Sequence, residues 1–218
     1  MHAILWMAAA LPVVVGQLST GPHAHMMVTN TASQPVTGWA FAVVTHPEPG
    51  RTRREVETID GYLSEATHGI QGSAERLERL MPQQSRDIQL DALPQDATVE
   101  VVAVILDDGT AMGDEAVIAP MFARRVKERD ALGAVVAVFN DVLSSQHGPA
   151  ALDALKERLL ALPSRDEVPC RAAIEAVETY RQRGGARTAD QLDESLRMYA
   201  AFVTREHELA KKHSQRRQ

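Results

Sequence analysis

The sequence predicts an α+β protein in two parts, an N-terminal antiparallel β-sandwich followed by a C-terminal helical extension with one long helix packed on the sheet. Three observations carry this reading. Up to about residue 112 the apolar residues alternate in short runs broken by Gly, Pro, Asn and Asp, as half-buried strands do. From Asp114 onward they recur at three- and four-residue steps, the mark of one helix face. Between the two, LDDGTAMGDE (Leu106–Glu115) gathers turn formers and acidic residues, which suits a seam between strand and helix.

The chain opens with an uncharged apolar run from Ala3 to Val15. A membrane-spanning helix needs about 20 apolar residues, so the run has the length of a signal-peptide core rather than a span. The expected signal peptide is residues 1–16, cut after Gly16 with Val14 at the minus-three position, which makes the protein periplasmic or secreted and leaves no membrane span. Its first residues carry His2 but no Lys or Arg.

The sandwich is expected over residues 20–113. AHMMVTN (Ala24–Asn30) alternates, with Ala24, Met26 and Val28 on one face and His25, Met27 and Thr29 on the other. After TASQP, Val36–Thr45 forms a second strand, HPEPG breaks it, and RREVETIDGYL offers a third. RLERLMPQQSRDIQL reads as two short strands flanking Pro82, and Thr98–Leu106 is the most apolar strand. Two of these strands lack a polar face. In Val36–Thr45 one face carries Trp39, Phe41 and Val43 and the other Gly38, Ala40, Ala42 and Val44, while in Val99–Leu106 only Glu100 interrupts. Both are therefore expected to be covered on both sides.

The helical region is expected over residues 114–212. A long first helix runs to about Ser144, with Pro120 near its start, where proline costs least. Gly148 and Pro149 end it. PAALDALKERLLALP, EVPCRAAIEAVETYRQRGG and TADQLDESLRMYAAFVTREHELAKK give three more, the last capped by Thr188 or Asp190. Residues 213–218, a basic end, read as a disordered tail.

Composition excludes several functions. The formal charge of −6 argues against nucleic acid as partner, and aromatic residues at 4% leave few stacking platforms. The lone Cys170 permits no intramolecular disulfide.

Four constellations bear on chemistry. Asp107, Asp108, Asp114 and Glu115 fail the calcium-loop spacing, because Gly109 and Ala111 stand where oxygen ligands are needed, and turn and cap preferences account for each. GPHAHMM (Gly21–Met27) offers His23, His25, Met26 and Met27, a soft and borderline donor set suited to copper. His68 and Ser73 in HGIQGSAE do not form a nucleophile elbow. Gly184 and Gly185 lack the lysine and hydroxyl of a phosphate loop, so no cofactor is implied.

The hairpin VTNTASQPVTGWAF, with LMPQQSRDIQL and VEVVAVILDDGTAMGD, resembles an immunoglobulin-like sandwich of uncharacterised secreted bacterial proteins. The resemblance covers residues 24–114, with Gln83 standing where a glycine often follows the proline. It implies the sandwich fold and carries no catalytic residue. The expected function is a non-enzymatic protein-binding or envelope-assembly module, with self-association through the long helix as a further expectation. The alternatives are a periplasmic copper or other metal binder using His23, His25, Met26 and Met27, and a hydrolase whose site is assembled from distant residues.

Overall fold

A computed structural model describes residues 10–48, 50–66, 78–183 and 188–217. Among them the chain is α+β. The strands are β1 (Val13–Ser19), β2 (His25–Asn30), β3 (Val36–Glu48), β4 (Arg51–Asp60), β5 (Ser85–Gln89), β6 (Thr98–Leu106) and β7 (Ala111–Gly113). The helices are α1 (Glu115–Ser145), α2 (Gly148–Leu160), α3 (Val168–Arg183) and α4 (Ala189–His213). No helix of the described residues is long and apolar enough to cross a membrane.

The strands make two antiparallel sheets, of order β1-β2-β5 and β4-β3-β6-β7. Alternation along β2 sends Met26 and Val28 into a core that also takes Trp39, Phe41 and Val43 of β3 and Val104 and Leu106 of β6. The opposite face of β3 is closed to water as well, with Ala40 and Ala42 fully buried, as are Ala103 and Ile105 of β6. These two strands therefore read as continuous apolar runs because both their faces are dry.

Three expectations bear on these elements. The expected cut after Gly16 falls inside β1, whose Val13, Val14 and Val15 pair with Asn30, Thr29 and Val28. Val13 is 2% exposed and belongs to the core, so residues 13–16 act here as sheet. Of the two strands around Pro82 only β5 forms. Leu80 makes an isolated bridge to Val36, with N–H to O distances of 3.0 and 2.9 Å, and the chain then turns. Gln84 N–H bonds Met81 O at 3.0 Å and Gln83 adopts φ of 60°, a left-handed conformation that favours glycine. The end of the chain is also ordered through Arg217. Arg216 makes two hydrogen bonds to Glu115 at 2.5 and 2.8 Å, and Arg217 bonds Asp108 at 2.6 Å, so carboxylates of the seam hold the basic residues that composition alone would leave frayed.

The chain divides into two compact units. One holds the strands, α1 as far as Met121, and the end of the chain from Arg216; the other holds Phe122 to Gln215. The boundary thus lies within α1 rather than at Asp114. In the helical unit, Thr188 caps α4 by accepting from Gln191 N–H at 3.3 Å while the Gln191 side chain accepts from Thr188 N–H at 3.0 Å, a reciprocal capping box. Cys170 is fully buried on α3.

Candidate functional site

Strand alternation decides the fate of the His-Met segment. Met26 points into the core, while His25 and Met27 share the outer face of β2 and His23 precedes the strand, exposed. The donor set His23, His25, Met26, Met27 is thus split by the sheet. His25 Nδ1 instead lies 3.0 Å from Asp87 Oδ1 on β5, and Thr29 and Ser85 hydroxyls meet at 2.8 Å beside them, a polar ladder between neighbouring strands. No group of three or more His, Cys, Asp or Glu side chains arranged to hold a metal occurs among the described residues.

The seam assigns each of its carboxylates a separate partner. Thr110 N–H donates to Asp108 Oδ1 at 3.0 Å, closing the turn after β6, and Gln34 and Arg217 donate to Oδ2. The backbone bond from Thr110 is the main cause holding the Asp108 carboxyl down at about 2. Asp107 faces Arg79 at 3.9 Å, Glu115 holds Arg216, and Asp114 Oδ1 accepts Ala116 N–H at 2.9 Å at the start of α1. Gly113 is required between them. Its φ is +114°, and a Cβ there would lie 2.2 Å from Val102 O.

The helical unit contains two polar groupings that sequence spacing did not reveal. Asp193 of α4 accepts Gly148 N–H at 2.6 Å with one oxygen and lies 3.0 Å from His147 Nδ1 with the other. The Gly148 bond is the first cause that lowers its pKa, followed by His147. This is an acid–histidine pair at the start of α2. The nearby Ser195 hydroxyl donates to Gln191 O at 2.9 Å, so the pair serves to cap a helix from another helix. Further along α4, burial pushes the Glu206 carboxyl up to about 7, and the Glu128 charge on α1 adds to the rise. Arg125, fully buried, donates to His213 O at 3.1 Å and lies over the Phe122 ring. His68, Ser73, Gly184 and Gly185 lie outside the described residues.

The remaining feature is the edge of the four-stranded sheet. β4 pairs with β3 on one side and, among the described residues, has no strand on the other. Register sets Ile59 beside Trp39, Glu57 beside Phe41, Glu55 beside Val43 and Arg53 beside Thr45, so these four share the face that β3 turns to the core. Only Ile59 packs against that core. Arg53, Glu55 and Glu57 are exposed. Together with Val43, Thr45 and Pro47 of β3 and the segment Leu90–Pro94 they line a groove of about 230 Å³. A strand edge with no strand neighbour among the described residues, beside a groove lined by both charged and apolar residues, can accept an extended segment through backbone hydrogen bonds and side-chain contacts. Charged residues in a period-two run, RTRREVET, were the sequence signal for it.

Comparison with known protein families, curated proteins and solved structures finds no match to this chain.

Proposed function

We propose that this chain is an exported protein-binding or assembly module of the cell envelope, built on an immunoglobulin-like sandwich, and that it engages a protein partner by strand addition along β4. The observation that carries the reading is the exposure of Arg51–Thr58 on both faces of a ten-residue edge strand, beside a neighbour, β3, that is largely buried. A row of unpaired backbone groups that long is a template for another chain.

The sandwich reading is supported by the strand order, in which consecutive strands β2 and β3 belong to different sheets and β5 returns to the first, as Greek-key connections require. Trp39, buried at the centre of β3, takes the place of the core tryptophan on the third strand of such domains. Export rests on the apolar run Ala3–Val15. A cut after Ala10, with Ala8 at minus three, keeps β1 whole, whereas one after Gly16 halves it.

Site-specific photo-crosslinking in the cell envelope tests the docking edge. A crosslinker in place of Val56 on β4 is expected to capture a protein. One in place of Met198, on α4 and more accessible than Val56, is expected to capture none. Equal capture at both positions, or none at Val56, overturns the reading.

A further inference from the structure

The charges of β4 are sorted by sign along one face. Arg51 and Arg53 occupy its first half and Glu55 and Glu57 its second, all on the face shared with the core side of β3. Charged edge strands ordinarily repel pairing, but a strand that is basic at one end and acidic at the other complements an antiparallel copy of itself. We propose that β4 is a self-association edge, at which two copies of this chain pair antiparallel about Arg54 to join their four-stranded sheets into one. The inference rests on the docking-edge reading above and names its partner.

The register follows from geometry. Side chains directly opposite each other in an antiparallel pair lie on the same face, and a two-fold axis normal to the sheet therefore sets odd residues against odd and even against even. Centred on Arg54, Arg51 faces the other copy's Glu57 and Arg53 its Glu55, each twice by symmetry, with Thr52 against Val56 on the opposite face. Glu57 makes no ion pair among the described residues and gains one here. Arg53 keeps its own Glu55 and meets a second. The single unfavourable contact, Arg54 against itself, is offset by Glu100, whose Oε1 lies 3.6 Å from Arg54 Nε on the same sheet. Shifting the centre to Glu55 sets that residue against itself and keeps only the Arg53–Glu57 pairs; shifting it to Val56 sets Glu55 against Glu57. One register is thus selected over its neighbours.

Eight residues of β4 exposed on both faces, with no strand among the described residues paired to its outer edge, meet the steric condition. The interface is isologous and closes at two copies, because joining β4 to β4 consumes both free edges.

Light scattering coupled to size exclusion, with the full chain, tests this through two complementary variants. The wild type is expected to be a dimer in the micromolar range that weakens with added salt. Arg51→Glu with Arg53→Glu makes the face wholly acidic, and Glu55→Arg with Glu57→Arg makes it wholly basic. Each alone is expected to raise the dissociation constant at least about tenfold, and an equimolar mixture is expected to recover a mixed dimer. All four positions are exposed, and unchanged thermal unfolding of both variants verifies their folding. A monomeric wild type, a dimer indifferent to both variants, or a mixture that fails to associate overturns the proposal. A monomer whose Val56 crosslinker still captures a different protein overturns only the choice of partner, while a monomer with no capture overturns the docking edge as well.

Discussion

β3 and β4 are neighbours in one hairpin, hydrogen-bonded over most of their length, yet β3 is dry on both faces from Val36 to Val43 and β4 wet on both from Arg51 to Thr58. Ala42 is fully buried and its cross-strand partner Val56 is 38% exposed. β3 lies between β4 and β6, whereas β4 has β3 as its one strand neighbour among the described residues. Burial follows that position, with Arg53, Glu55 and Glu57 exposed at the edge of the sheet beside a groove. The sequence of each strand answers its surroundings, VTGWAFAVV where both sides are dry and RTRREVET where both are wet.

A matched pair of substitutions puts the contrast at its sharpest. Ala42→Glu buries an unpaired charge and is expected to cost about 3–5 kcal/mol, enough to unfold a marginal domain. Trp39→Ala on the other face of β3 is expected to cost a similar 3–5 kcal/mol, roughly, as a large cavity. Trp39→Phe is expected to be much milder, because Trp39 Nε1 has no hydrogen-bond partner among the described residues and its loss removes a buried unsatisfied donor. Thermal and urea unfolding measure all three. A small effect of Ala42→Glu would mean that the alanine face of β3 opens readily to water.

Ionisable groups follow the same division between sheltered and wet positions. Glu55 and Glu57 stand in water on β4, whereas Glu206 is sheltered in the helical unit and its pKa is raised to about 7. A carboxyl whose folded pKa exceeds its unfolded value of about 4.3 stabilises fully below that value and loses the contribution as pH climbs through 7. The helical unit is therefore expected to lose up to about 3 kcal/mol between pH 4.5 and 7. Glu206→Gln removes this dependence; a melting temperature with the same pH slope in the variant refutes it.

The N-terminal boundary is the next test. A chain beginning at Gln17 lacks Val13, whose burial alone is worth roughly 1.5–3 kcal/mol, and the Pro12 carbonyl that accepts from Thr31 N–H at 2.7 Å and from its hydroxyl at 3.0 Å. A loss of about that size is expected on unfolding relative to a chain beginning at Leu11. Equal stability would return the cut to Gly16.

Much of the architecture was legible in the sequence because one-dimensional pattern maps directly onto it. Thr98–Leu106 as the most apolar strand, the dry faces expected over Val36–Thr45 and found over Val36–Val43, the long helix after Asp114 and the choice of Thr188 or Asp190 as cap, which the structure resolves to Thr188, follow from period, propensity and capping chemistry. β1 was not legible, since an uncharged apolar run serves a signal core and a sheet strand alike. β7 has three residues, too few for any period to register. Of the candidate site, the split of Met26 from His25 and Met27 was already implicit in strand alternation. The wet faces of β4 are marked by its charged run RTRREVET, whereas its place at a sheet edge was not legible, because strand order is a tertiary fact with no local signature.

The seam returns a smaller effect that separates capping from charge. Asp114→Ala removes the acceptor for Ala116 N–H and is expected to cost about 0.5–2 kcal/mol, while Asp114→Asn or Asp114→Ser recovers most of it. A loss that neither variant rescues would assign Asp114 a role other than capping.

The smallest expected effect closes the comparison with β3. Val56→Glu, the same change as Ala42→Glu one strand over, places a carboxylate where water already reaches, and stability should move by no more than about 0.5 kcal/mol in either direction. Its side chain lies on the face of Thr52 and Arg54, away from the sorted charges, so it leaves the Arg51–Glu57 and Arg53–Glu55 pairs of two joined strands intact. A strand free to vary without cost to folding is one whose sequence answers to something other than the core. If Val56→Glu destabilises as Ala42→Glu does, β4 is covered in solution, and the difference in cover between the two strands of the hairpin, with the docking edge that depends on it, falls.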